Sequence, residues 1–427
     1  MPKKHQKQLL NHSSTKMPPY VASIQDLKIG MYVRIAPSDW IKHPFLRNSV
    51  LITNEAQIRI MESSEIQTVT VIPEKSQIEP QPTPPESDVT SEIRIEVTDE
   101  EDLWDSKNKK SDTHRRRRDR LRRFAAHYQR LSEQLRTFQE KILQGEDTCL
   151  ELCAAAEEII TRLASDTDVG ISLIVRNTPD FGKYSHSVNV ACLSYMLGNH
   201  LNLPEDSLRS LILGAFLHDV GKITIKKSIL NKPNRNKTEE KVYTTHTSTG
   251  HELLSTKCQG IPDDALAIVL QHNENFDGSG FPKGLKGDEI SPLAQIVAIA
   301  NAFDNRINNV VQSFRVPPFR ALSMLYGIEN HRFNLEYLAT FIRVLGIYPP
   351  GSILQLSDGS FAVVNAQGYS PKNPLLVVYD MGVPRDQAIE LSLEELGLDV
   401  EKAMDPLDIP PPIREYLLPS SDLVFMS

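Results

Sequence analysis

The sequence predicts a mainly α protein with a small β-rich or α+β domain at its N-terminus and a small β module near its C-terminus. Three observations carry this. Residues 186–345 repeat apolar positions at helical spacing between short loops and carry almost no strand pattern. Residues 20–75 and 350–395 instead alternate apolar and polar positions in short runs bounded by turn residues. A Pro-rich, acidic stretch separates the first of these regions from the rest. At 427 residues the chain is too long for one ordinary domain, and 40% hydrophobic with 24% charged residues describe a globular protein.

Taken in order, YVASIQDLKIGMYVRI, FLRNSVLITNEAQIRIME and IQTVTVI give a 20–75 domain of short strands with one amphipathic helix at about 54–63. Residues 76–113 read as a disordered linker: IEPQPTPPESD is Pro-rich and 86–105 strongly acidic, so neither can bury a core. The run HRRRRDRLRRF places seven arginines within 115–123. A nucleic-acid or lipid patch is one reading. The favoured one is a solvated helix start whose arginines face the acidic linker, because no aromatic side chains interleave as a stacking platform. Residues 114–168 are apolar every three or four positions, which predicts a connecting helix or helical hairpin that would also serve as a dimer seam. A helical domain follows over 169–348. GSILQLSDGSFAVVNAQG and NPLLVVYDMG, with turns at Asp358-Gly359 and Gly368, predict a β module over 349–400, and 401–427 is a Pro-rich tail.

A formal net charge of −8 gives no general reason to expect nucleic acid or an anionic membrane as partner. No apolar run has the length of a membrane span, and MPKKHQKQLLNHSS lacks a signal-peptide core, so a cytoplasmic protein is expected. Cys149, Cys153, Cys192 and Cys258 read as free thiols. Cys149 and Cys153 stand four apart in a helical pattern, but no second Cys or His pair lies nearby to complete a metal site.

Chemistry concentrates in four histidines. His186 opens the helix HSVNVACLSYMLG. His218 and Asp219 end LILGAFLHDVGK, His246 follows Val242 by four, and His272 follows Ile268 by four. Each histidine therefore points from a helix toward the interior, where a charged or half-satisfied imidazole is costly. A single inward histidine is ordinarily a hydrogen-bonded core residue. Four of them beside one aspartate read as a dinuclear metal site, in which the carboxylate bridges two cations and neutral imidazoles fill each shell. Lys222 lies three residues past Asp219, suited to a phosphate held by those cations and equally to a helix C-terminus. In QHNENFDGSGFPKGL (271–285) a helix ends at His272, and Asp277-Gly278-Ser279-Gly280 turns the chain.

These runs together resemble an HD-GYP domain over about 175–345: His186-Ser187, HDVGKITIKKSILNKP, TEEKVYTTHTSTGHELL and HNENFDGSGFPKGLKGDEIS. IQDLKIGMYVRI…W…HPF…N…I is similar to a domain that often precedes HD-GYP domains, and GIYPPGSILQLSDGSFAVV to a segment that often follows them. The resemblance implies an all-helical HD phosphohydrolase fold and bacterial second-messenger signalling by hydrolysis of cyclic di-GMP to pGpG and GMP. It implies two divalent cations, Fe or Mn, held by His186, His218, Asp219, His246 and His272, with Lys222 against a phosphate.

The same resemblance exposes departures. Asn273 stands where the family has a second consecutive histidine, and Asn301 where IADxxDA supplies the closing aspartate. Gly182 replaces a glutamate that some members carry, Val310 falls near the substrate-binding arginine, and in the loop of Asp277, Gly278, Gly280, Phe281 and Pro282 the GYP tyrosine is Phe281. A neutral amide holds a divalent cation less tightly than a carboxylate. Two further readings therefore stand beside the enzyme. One is a degenerate domain that senses cyclic di-GMP or docks a diguanylate cyclase through the Phe281 loop. The other is a scaffold for a homodimer built on the 120–168 helix.

Overall fold

The computed structural model describes residues 17–78, 100–146, 149–175, 185–232, 234–309, 314–370 and 372–418. Two compact units emerge, 1–113 with 380–389, and 114–379 with 390–427. In the first, β1 (Tyr20–Ser23), β2 (Tyr32–Arg34), β3 (Ser49–Leu51) and β4 (Thr68–Val71) form an antiparallel sheet in the order β1-β4-β2-β3, with Val33 opposite Val71. Helix α1 (Glu55–Ser63) is capped by Asn54, whose side chain accepts from the Gln57 amide. Val33, Ile35, Ile52, Met61, Val69 and Val71 fill the core.

Helix α2 runs Glu100–Gln144. It begins inside the stretch expected to be linker, and this corrects that expectation for residues 100–113; residues 79–99 lie outside the described residues. The acidic residues responsible for the linker reading, Glu100, Glu101 and Asp102, occupy the first helical turn, where negative charge stabilises the helix dipole. Just beyond, Leu103 packs on the N-terminal core. Lys107 is buried, its ammonium donating to the carbonyls of Trp40 and His43 at 2.7 Å each and lying 3.5 Å from the centre of the Trp40 ring.

The second unit is helical apart from one sheet. α2 buries Leu121, Ala125, Tyr128, Leu131, Leu135, Phe138 and Ile142, a stripe three or four residues apart, against α3 (Cys149–Ser165) and the helices behind it. There follow α4 (Thr167–Val175), α5 (Ser185–His200), α6 (Glu205–Leu217), the single turn α7 (Lys227–Leu230), α8 (Lys237–Thr244), α9 (His246–Lys257), α10 (Asp263–Gln271), α11 (Pro292–Ile307), α12 (Pro318–Gly327) and α13 (Leu335–Leu345). α6 packs against both α5 and α10, and α10 also against α9, which brings four chain segments to one end of the bundle.

Two of the arginines pair with residues other than the acidic stretch. Arg117 bonds Glu390 at 3.1 Å and approaches Asp168 at 3.4 Å, and Arg120 pairs with Asp166 at 2.6 Å. Positions 117 and 120 share a helix face and meet the start of α4, while Glu390 comes from the end of the chain. The cysteine expectation is corrected as well: Cys149 on α3 is joined to Cys258 after α9, 109 residues away, with Cα atoms 5.6 Å apart, while Cys153 and Cys192 stay outside any disulfide.

The C-terminal sheet has the order β8-β7-β6-β5-β9: β5 (Ile353–Leu356), β6 (Phe361–Ala366), β7 (Leu375–Val378), β8 (Leu391–Ser392) and β9 (Val400–Met404). Its last strand and the helix Pro411–Leu417 occupy part of the expected tail, because VEKAM is an edge strand whose charges mask its pairing with β5. Among the described residues no helix is long and apolar enough to cross a membrane.

Candidate metal centre

Each of the four histidines sits at a helix end. His186 is the second residue of α5, and His218 follows the last residue of α6. His246 opens α9 just past α8, and His272 follows the last residue of α10. At a helix C-terminus the last carbonyls lack intrahelical partners, and three of these histidines take one up. His218 Nδ1 donates to the Ala215 carbonyl (2.6 Å), His246 Nδ1 to that of Tyr243 (2.6 Å) and His272 Nδ1 to that of Val269 (3.0 Å). A carbonyl only accepts, so the proton sits on Nδ1 and Nε2 carries a lone pair. Burial enforces neutrality: it lowers His218 to about 4, and it also pushes His246 below its ordinary value and His272 well below.

All four Nε2 atoms face one carboxylate. Asp219 Oδ2 lies 3.6 Å from His186 Nε2 and 3.4 Å from His218 Nε2. Its Oδ1 lies 3.6 Å from His246 Nε2 and 3.8 Å from His272 Nε2. Each oxygen thus serves one pair of imidazoles, giving the two clusters His186/His218/Asp219 and Asp219/His246/His272. Burial alone would raise the Asp219 carboxyl, but His218, Lys222, His246 and His186 outweigh it and hold it well below the usual carboxylate range. Lys222 Nζ is 2.6 Å from Asp219 Oδ2; burial draws it down, and Asp219 and Tyr243 overcome this and keep it charged.

The donor set suits divalent cations. His186 Nε2 and His218 Nε2 are buried without a hydrogen-bond partner, and the lone pairs of His246 and His272 face each other across 3.4 Å, an arrangement that calls for positive charge between them. Neutral imidazole together with carboxylate is a donor set that first-row divalent metals accept. Asn273 lies at this second pair, its Nδ2 3.1 Å from His246 Nε2 and 2.8 Å from His272 Nε2, and a half-turn of the amide would present Oδ1 instead. Asn301 is buried on α11 with its Oδ1 accepting from Asn305 Nδ2 at 2.6 Å. Gly182 and Val310 lie outside the described residues.

The loop after His272 is built on Glu274, which the sequence reading passed over. It is buried, and its two oxygens accept from the backbone amides of Lys283 (2.7 Å) and Leu285 (3.0 Å), closing the turn like a buckle. Inside that closure Asp277 Oδ1 takes the Ser279 amide at 2.9 Å, and Gly278 adopts φ +86°. A Cβ on Gly280 would stand 2.3 Å from the Asn275 amide nitrogen. The loop thereby sets Phe281, followed by Pro282, with its ring edge-on to His246 at 6.0 Å between centroids.

Also missed was Asp304, three residues past Asn301 on α11: its Oδ2 receives His186 Nδ1 at 2.7 Å. No local signal links positions 118 residues apart.

Fold and site together define a helical domain carrying two adjoining histidine–aspartate groups that could hold metal. Residues 168–334 match the model of the HD domain family, and residues 22–153 match a domain of unknown function, DUF3391. A cyclic di-GMP phosphodiesterase of Pseudomonas aeruginosa is 26% identical over 361 residues, which are 83% of this chain and 84% of that protein. The cyclic di-GMP phosphodiesterase response regulator of Xanthomonas campestris pv. campestris is 34% identical over 149 residues, 35% of this chain and 39% of that one. A 3′3′-cGAMP-specific phosphodiesterase of Vibrio cholerae is 35% identical over 121 residues, 28% of this chain and 23% of that one.

Proposed function

We propose that the protein is a metal-dependent phosphodiesterase of the HD-GYP kind that hydrolyses cyclic di-GMP to pGpG and GMP. The observation that carries the reading is the division of Asp219, one oxygen toward His186 and His218, the other toward His246 and His272. Two divalent cations, Fe or Mn, would supply Lewis acidity toward a phosphodiester and an activated water. Asp219 would bridge them and the four neutral imidazoles complete their shells. Once Asp219 is so engaged, the Lys222 ammonium, now 2.6 Å from it, is free to meet a phosphate oxygen. Asn273 would turn its Oδ1 to the second cation. Cyclic di-GMP is favoured over a cyclic GMP–AMP substrate because the relative spanning most of the chain is named for it.

A second reading keeps the fold and drops the turnover. Asn301 is engaged by Asn305, and the Asn273 amide lies against both lone pairs of the second cluster, which favours a degenerate domain that senses cyclic di-GMP or docks a diguanylate cyclase. Metal titration with a hydrolysis assay separates the two. In the enzyme, Mn-loaded protein releases pGpG, and Asn301→Asp raises both occupancy and rate. In the receptor, nucleotide binds without cleavage and Asn301→Asp restores little. Wild type that neither binds nor cleaves, with Asn301→Asp also silent, refutes both.

A further inference from the structure

We propose that Asp304 is the positioning residue that makes His186 a cation ligand. Tyr128 on α2 then governs, through Asn189, how tightly that half of the site holds its cation. The proposal rests on the metal-centre reading above and adds an asymmetry between its halves.

His218, His246 and His272 each fix their own tautomer on a carbonyl three residues back. His186, in the first turn of α5, relies on a distant group instead, Asp304 Oδ2 on α11 at 2.7 Å. A carboxylate only accepts, so His186 keeps its proton on Nδ1 and turns the Nε2 lone pair to Asp219. The other oxygen, Asp304 Oδ1, accepts from Asn189 Nδ2 at 2.7 Å and Asn308 Nδ2 at 2.8 Å. N–H donors thus converge on both oxygens. An amide at 304 could satisfy only one side and would turn an NH2 against donors on the other. The carboxylate is therefore required, and it is 1% exposed.

Asn189 can donate to Asp304 only with its own Oδ1 turned the opposite way, and there it meets the Tyr128 hydroxyl. The same hydroxyl lies 3.0 Å from the Ser185 carbonyl oxygen, at the residue before His186. Tyr128 and Asn189 are fully buried, so no water can replace either contact. The chain Tyr128–Asn189–Asp304–His186 joins the middle of α2 to one metal ligand. Among the described residues His246 and His272 have no counterpart to it, since each Nδ1 is held within its own segment.

The test is stepwise Mn(II) titration of the metal-free, full-length protein. Asp304→Asn is expected to weaken one of two cations by about 10- to 100-fold, the usual effect of removing a carboxylate behind a ligand histidine, and to leave the other within about threefold. Tyr128→Phe, which deletes one oxygen, should weaken the same cation by about 2- to 12-fold, the equivalent of one hydrogen bond. In a His186→Ala background Asp304→Asn should add nothing, because it acts through the imidazole already removed. Asp304→Asn that binds both cations as wild type does, or whose effect adds in full to that of His186→Ala, overturns the proposal. If Asp304→Asn does not fold, Tyr128→Phe decides alone, and unchanged binding there overturns it. A wild type that takes up no cation instead refutes the metal-centre reading itself.

Discussion

Gly221, between Asp219 and Lys222, is where fold and site are least separable. A Cβ at this position would stand 2.0 Å from the His246 carbonyl oxygen and 2.6 Å from the Gly250 amide nitrogen. Both are backbone atoms of α9, so no side chain can swing aside. Ordinary contact begins near 3.4 Å, so Gly221→Ala must push the start of α9 away by roughly 1.4 Å or shift Asp219 by a similar amount. Metal–ligand distances tolerate about 0.2 Å. The displaced His246 should therefore no longer share a cation with Asp219 and His272, while His186 and His218 remain in place. Overpacking of this kind costs about 1–3 kcal/mol, so the variant should fold with a modestly lower Tm. Gly250→Ala is the internal control: its nearest contact would be 3.1 Å, a few tenths of an ångström from comfortable, and its metal binding should stay near wild type. Mass-spectrometric metal analysis beside a circular-dichroism melt reads both quantities. A Gly221→Ala protein that retains two cations at wild-type affinity would show that this close approach does not hold the site.

Two further expectations follow from buried polar groups. Glu274→Ala strands the amides of Lys283 and Leu285, at about 1.5–3 kcal/mol for each charge-assisted bond, so hydrogen exchange at those amides should accelerate more than tenfold with metal content unchanged; unaltered exchange would refute the buckle. His43 is lowered to about 4 by burial, with Lys107 adding to the effect, against 6.5 when unfolded. Its stabilising contribution is thus complete above pH 6.5 and is lost as the pH falls toward 4, by about 3 kcal/mol in all. The two tryptophans, Trp40 and Trp104, both lie in the first unit, so their fluorescence during urea unfolding isolates this effect; an unchanged pH slope in His43→Gln would refute it.

The legibility of this protein in its sequence follows the range over which each signal acts. His186, His218-Asp219, His246 and His272 could be read because a helix end, a neighbouring aspartate and a glycine turn are local marks, and because each histidine sits on an apolar stripe. Asp304 could not be read as the partner of His186: it lies on α11, 118 residues away, among polar side chains that look like a solvated face. The Cys149–Cys258 junction and the Arg117–Glu390 pair are contacts of the same long-range type. The start of α2 was lost for the opposite reason. An acidic cluster carries the same composition whether it keeps a linker extended or supplies the first turn of a helix, and only the Lys107 anchor further along distinguishes the two.

Three of the ligand imidazoles complete the last turn of a helix while facing the metal centre. A cation drawing electron density through Nε2 makes Nδ1–H a stronger donor, and so tightens its bond to the carbonyl behind it. One cation would in this way cap the end of α6 and the other the ends of α8 and α10, and the negative ends of the helix dipoles would contribute field toward both. Loading the site and finishing three helices would then be one event, with the metal serving as an element of secondary structure.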